Sequence, residues 1–326
     1  MTPVRNESWI LDAFLAAAEQ WADYIVVADQ RSTDGSREIA GRHPKVVLVD
    51  NDGPADEQER QRLLIRTARE LTGERRVLLA LDADEFLSSN AFANGDWSAA
   101  LEARPGTSLR WRWANVLPGC KLAWVPPPPL VFGLVDDGRE HSGPRIHAVR
   151  VPIDSGARDV LLEQSYVVHL AYLDWAAQKR KQAWYQCWET LDDPAKRARV
   201  LYREYHQLDV IPRRAIRPFD PAWIAGYEHE GIDVLRDAAG RGSLRDCEVL
   251  DWFAKHGTDR FAKLDIWGGD WDAVAERHGH ALASTGVADP RTRLDRSIHG
   301  WLRLTQRFGD TRLFRQLDRG LRLLGW

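Results

Sequence analysis

Three carboxylates crowd into four residues at Asp82-Ala83-Asp84-Glu85, directly after the apolar run Leu78-Leu79-Ala80-Leu81. Like charges this close repel, so the cluster costs stability unless a cation lies among them. An all-oxygen set suits a hard divalent ion, magnesium or manganese, and an ion there could bridge a diphosphate. Carboxylates also serve as caps at helix N-termini, and for this cluster taken alone that reading stays open. A second polar cluster, Asp29-Gln30-Arg31-Ser32-Thr33-Asp34-Gly35, also follows an apolar run and closes on a glycine suited to a tight turn.

The elements that must position these clusters follow from periodicity. Ile10, Leu11, Phe14, Leu15, Ala18 and Trp21 repeat at helical spacing, which predicts a helix over 7–22 leading into a buried strand over 24–28. A short helix at 36–41, a strand at 46–49, a helix near 58–72 and a strand at 77–81 come next. This alternation predicts a mostly parallel sheet flanked by helices. Asp29 and Asp82 then stand at the carboxyl ends of two strands, where open α/β sheets bind ligands. Farther on, 108–116 reads as a strand, the four prolines at 126–129 as an extended segment, 166–170 as a strand and 174–191 as a helix. Beyond residue 197 the sequence is mostly helical, so the expected division is a first domain over 1–195 and a helical region over 196–326.

Three stretches, in order and spacing, carry a resemblance: Thr2-Pro3-Val4-Arg5-Asn6-Glu7, Asp29 to Ser36, and Leu81-Asp82-Ala83-Asp84-Glu85-Phe86. Together they resemble the family 2 glycosyltransferases of the GT-A fold, a Rossmann-like α/β architecture, over about the first 175 residues. The resemblance implies a nucleotide-sugar donor, with a UDP-sugar favoured. Its pocket would be lined by Thr2, Val4, Asn6 and Glu7, with Asp29 facing the base and Asp82 near the ribose or sugar. Asp84 would bind the Mn2+ or Mg2+ ion that bridges the diphosphate. His169, in Val167-Val168-His169-Leu170, resembles a late histidine that completes the metal site in some members, and imidazole suits manganese better than magnesium. A lone histidine is also commonly structural. Arg62 and Arg145 are candidates for the nucleotide and its diphosphate.

Such enzymes are mostly inverting, which requires a general base for the acceptor hydroxyl. Asp136, Asp137 and Glu140 are the acids in the intervening loop, with Asp137 and Glu140 the candidates, although each also reads as an ordinary solvated loop charge. Two departures from the family pattern stand out. Met1 adjoins the first motif, so the opening strand looks clipped, and Gln30-Arg31 replaces smaller or amide residues. Trp111, Trp113 and Trp124 could stack on sugar faces, although tryptophans more often fill cores.

Other classes fit less well. No Gly-X-Gly-X-X-Gly follows the early strands, which argues against a dinucleotide oxidoreductase, and residues 2–8 lack the glycine-rich phosphate loop of a nucleotidyltransferase. A catalytically silent relative that binds nucleotide-sugar or scaffolds a glycan-assembly complex is the remaining rival. A net charge of -3 gives no global pull toward nucleic acid. Three scattered cysteines, no basic-then-apolar leader and no apolar run of bilayer length lead to an expectation of cytoplasmic location. The segment 291–326 holds nine arginines and three aspartates interleaved with Trp301, Leu302, Leu304, Phe308, Leu313, Phe314, Leu317, Leu321 and Leu324. A basic amphipathic stretch of this kind suits peripheral contact with a membrane carrying a lipid-linked acceptor, or equally a helix packed on the body with a solvated basic face.

Overall fold

A computed structural model describes the chain apart from residues 54, 55, 146, 155, 157, 236–243 and 310. It forms two compact units, Met1–Leu173 with Arg214–Ala238, and Asp174–Arg213 with Ala239–Trp326. The division therefore begins at 173 rather than 195, and the chain returns to the first unit before finishing in the second.

The first unit opens with the alternation expected: β1 (Thr2–Val4), α1 (Leu11–Ala18), β2 (Ile25–Asp29), α2 (Ser36–Ala40), β3 (Val46–Asp50), α3 (Glu57–Glu70) and β4 (Val77–Leu79). All five residues of β2 are buried, as expected of an apolar, β-branched run flanked by strands on both sides. Parallel pairing sets Thr2 opposite Val27 and Ile25 opposite Val46. Met1 joins this sheet to the next, since its nitrogen donates to Leu79 O and its carbonyl accepts from Leu81 N. β1 is thus short, paired with β2, while the adjoining Met1 backbone bonds to the β4 segment. α3 starts where Asp56 Oδ1 accepts from Glu59 N, and it buries Leu64, Ile65 and Ala68.

Next come β5 (Glu85–Leu87), α4 (Gly95–Glu102), β6 (Ser108–Val116), β7 (Leu122–Trp124), β8 (Leu130–Val135) and β9 (Asp159–His169). Here β8 runs antiparallel to both β4 and β6, β9 runs parallel to β6, and β5 is antiparallel to β9. Parallel pairing is therefore confined to β1–β3 and β6–β9, and the fold is mixed α/β. Phe14, Phe86 and Tyr227 meet edge to face in the core, and the Tyr227 hydroxyl donates to Leu87 O at 2.6 Å. Burying side chains of this size contributes about 1.5–3 kcal/mol each.

The chain continues into the second unit as α5 (Trp175–Asp192) and α6 (Ala198–Tyr205), returns as β10 (Ile216–Pro218) and α7 (Ala225–His229), and closes with α8 (Leu244–His256), α9 (Trp271–Arg277), α10 (Arg293–Thr305) and α11 (Arg312–Gly320). Within this unit Arg180 pairs with the buried Asp246 at 3.0 Å, and Tyr202, Ile298, Leu302 and Trp326 form a small core.

Candidate active site

Strand direction decides which residues meet. β1, β2, β4, β6 and β9 point the same way, so Asn6, Asp29, Asp82, Asn115 and His169 all lie at or just beyond their carboxyl ends, on one edge of the first unit. β5 starts at that edge, with Glu85 directly opposite His169.

The crowded carboxylates do have a compensating cation, and for two of them it is a side chain. Arg150 donates to Glu85 from both Nη1 (2.5 Å) and Nη2 (2.8 Å), and from Nη2 to Asp82 Oδ2 at 3.1 Å. Its guanidinium lies over the Phe132 ring, 5.1 Å from the centroid. Glu85 is completely buried and also accepts from Asp82 N at 2.8 Å. Burial, with Asp82 and Asp84 nearby, holds the Glu85 carboxyl up at about 8, and Arg150 offsets only part of that rise. Desolvation opposes the Arg150 charge, but Asp82 and Glu85 more than offset it and hold the guanidinium firmly protonated. Glu85 therefore acts as an anchor for Arg150 and a brace for the turn.

Asp84 is presented differently. Its carbonyl accepts from Leu170 N at 2.9 Å, and its Oδ2 lies 3.7 Å from His169 Nε2. His169 Nδ1 is 2.7 Å from Asn115 Oδ1, while Asn115 Nδ2 donates to Trp124 O at 3.1 Å. An amide oxygen only accepts, so Nδ1 carries a proton and Nε2 is the nitrogen that faces Asp84. Trp113 stacks on the ring at 4.5 Å, and Tyr172 meets it edge-on at 5.5 Å.

A bulge creates this juxtaposition. Trp111 pairs with Leu162 but Arg112 pairs with Tyr166, so β9 carries three additional residues, 163–165. Asp96 holds them: its Oδ2 accepts from Gln164 N, Ser165 N and Ser165 Oγ at 2.7–2.9 Å. Without the bulge Asn115 would face Tyr166 rather than His169.

At the β2 end, Asp29 is buried. Its Oδ2 accepts from Ser32 N and from Arg37 Nη1, whereas its buried Oδ1 has no hydrogen-bond partner among the described residues. The two polar loops clamp one another. Asn6 N donates to Ser32 Oγ, Thr33 N to Asn6 Oδ1, Glu7 N to Ser36 Oγ and Ser8 N to Asp34 Oδ2. Asn6 takes a left-handed φ of 59° in this clamp. The Glu7 carboxylate accepts from Trp9 Nε1. Thr2 and Val4 bury their side chains in the sheet, and the unusual Arg31 pairs with Asp52 in solvent.

Other anticipated residues are not brought here. Asp137 and Glu140 follow β8, whose carboxyl end lies beside Val77 at the start of β4, the edge opposite Asp82. Arg139 grips Asp137 at 2.6 Å and holds its carboxyl below the usual range, despite partial desolvation. From Asp136, bonded to Arg69, the chain runs back along α3. Arg62 Nε donates to His141 O, Arg145 O accepts from Glu57 N, and Ala148 N donates to Glu57 Oε2 before Arg150 is reached. Arg62 is thus a fastening of this strap, one to two helical turns from the α3 start, while Arg145 lies at that start beside Asp56. Trp111 is a core residue that donates to Ser165 Oγ.

Arg150, Asn115, Arg37 and Asp96 escaped the sequence reading. None belongs to a motif, and only the β6–β9 register identifies Asn115. Among the described residues no three His, Cys, Asp or Glu converge as a metal cage. Asp84 and His169 nonetheless fit an ion that draws its remaining ligands from phosphate oxygens and water.

No protein-family model matches the chain, and no curated protein sequence matches it. Among solved structures the chain is similar to the crystal structure of S. aureus TarS 1-349, at 10% identity over 84% of this chain and 81% of that one, with a TM-score of 0.37. No helix among the described residues is long and apolar enough to cross a membrane.

Proposed function

We propose that this protein is an inverting glycosyltransferase that moves a sugar from a nucleotide diphosphate, a UDP-sugar for preference, to a glycan or lipid-linked acceptor. The observation that carries the reading is the Asp84–His169 pair with its Nδ1 proton fixed by Asn115, on the same edge of the first unit as the buried, unpartnered Oδ1 of Asp29. In this reading Asp29 Oδ1 accepts from the donor's base, Asp82 faces the ribose or sugar, and Asp84 with His169 holds a divalent ion, manganese suiting the imidazole. The ion, when bound, supplies positive charge against the negative charge that grows on the leaving diphosphate. Asn115 keeps Nε2 available, and Arg150 keeps Asp82 from repelling the phosphates. Asn6 and Glu7 hold the base-side loop closed onto 32–36.

A second reading, a nucleotide-sugar-binding protein without transfer, is favoured by one observation. The loop acids Asp137 and Glu140 are held at the opposite edge. Calorimetric titration of UDP with and without manganese, on the natural chain and on Asp84→Ala, tests the donor site. Manganese-dependent binding lost in the variant is expected, and absence of UDP binding in both metal conditions would sink it. Release of UDP from a UDP-sugar panel with acceptor glycans separates the two readings.

A further inference from the structure

We propose that α10 and α11 form a docking face for the surface of an anionic lipid bilayer. This inference stands on the second unit alone and does not rest on the glycosyltransferase reading. α10 buries Ile298, His299 and Leu302 on one side, and on the other it presents Trp301 and Leu304, a stripe that Phe308 continues in the 3-10 turn just after the helix. Phe314 of α11 reaches that stripe, 6.0 Å from the Trp301 ring and 5.5 Å from that of Phe308. The Phe314 neighbours Leu313 and Leu317 therefore extend the same apolar surface. Leu304 is 81% exposed, Leu313 60% and Leu317 47%. Leucines in such numbers, turned to water on two adjoining helices, are more than scattered surface residues.

Charge selects the occupant. The acids of this segment within the described residues point inward: Asp295 closes the α10 capping box, and Asp318 is buried against Arg203. The arginines point outward, with Arg307, Arg312, Arg315, Arg319 and Arg322 all exposed. A second copy meeting this face would set arginine against arginine, because a twofold contact is self-complementary. A nucleic acid would pair with the arginines but leave the leucines wet. Anionic headgroups over acyl chains satisfy both, which is the logic of interfacial helices with a basic rim.

The test is sedimentation of the full chain with vesicles of phosphatidylcholine alone or with one-third phosphatidylglycerol, at low and at 0.5 M salt, with light scattering for oligomeric state. Pelleting with the anionic vesicles only, weakened by salt, and reduced at least tenfold in Leu313→Glu/Leu317→Glu is the expected result. Those side chains are solvent-facing, so the variant should keep its unfolding midpoint, and circular dichroism checks this. The proposal is overturned by no pelleting with anionic vesicles, by equal pelleting of the variant, or by a dimer that the variant abolishes in the absence of vesicle binding.

Discussion

Replacing Asn115 with leucine isolates what the amide does for His169. The side chain is fully buried and makes two hydrogen bonds, accepting from His169 Nδ1 at 2.7 Å and donating to Trp124 O at 3.1 Å. Leucine keeps the branched outline and the number of heavy atoms, with bulkier methyls in place of the amide, while two buried polar groups lose their partners, at about 1–3 kcal/mol each. A stability loss of about 2–6 kcal/mol is therefore expected from urea unfolding. The informative quantity is metal affinity. Removing the outer partner of a metal-binding histidine typically weakens binding by about 10–100-fold, or about 1.4–2.7 kcal/mol. Calorimetric titration of manganese in saturating UDP measures it, and nitrogen NMR of the imidazole reads the tautomer directly. Should the variant bind manganese within about twofold of the natural protein while losing stability, Asn115 is a structural residue and the tautomer argument fails.

Asp96→Ala removes the acceptor of three hydrogen bonds that pin the β9 bulge, two of them from backbone N–H groups. A loss of about 2–4 kcal/mol in denaturant unfolding is expected, with UDP and manganese binding impaired in the protein that remains folded; a change under about 0.5 kcal/mol would mean that the bulge holds itself. Asp137→Asn and Glu140→Gln should each leave the rate of donor turnover within about twofold of the natural protein, as judged by coupled UDP release, whereas the loss of a general base would cost about 100-fold or more. In the second unit, His206, together with Lys179, holds the Asp209 carboxyl down at about 2 despite partial desolvation. The unfolded chain, with a pKa near about 4, binds the extra proton first. Stability from this group is thus present above about pH 4 and lost as pH falls toward about 2, on the order of 1 kcal/mol after allowing for solvent screening. Acid unfolding of Asp209→Asn should lack that component.

The opening alternation was legible because β2, β3 and β4 are apolar runs separated by helices, although β4 joins the second sheet and pairs antiparallel with β8. Their acidic ends, Asp29 and Asp82, could be placed at one edge before any coordinates. Short strands were not legible: β5, β7 and β10 span three residues each, too few for alternation to register, and they exist because neighbouring strands supply their hydrogen bonds. The charge argument at Asp82–Glu85 identified the need for a cation but not its source. Arg150 lies 65 residues beyond Glu85, in irregular chain, and no local pattern points to it. Asp137 and Glu140 were attractive by sequence position alone, and the reversal of β8 carried them to the far edge. The partnership of His169 with Asn115 depends on a bulge held by Asp96, a long-range effect that periodicity cannot express.

The protein side of the proposed ion site is a pair rather than a cage, and this has a thermodynamic consequence. With one carboxylate and one imidazole, the pair would hold an ion weakly alone, and phosphates of a nucleotide would have to complete the coordination under the proposed reading. Ion and nucleotide then favour one another by the same factor, since linkage between two ligands is reciprocal. On the proposed reading, such a protein would give up manganese on simple gel filtration and regain it with the donor. Its working state is set by the product of two concentrations, so a shortage of either the ion or the nucleotide-sugar empties both sites together.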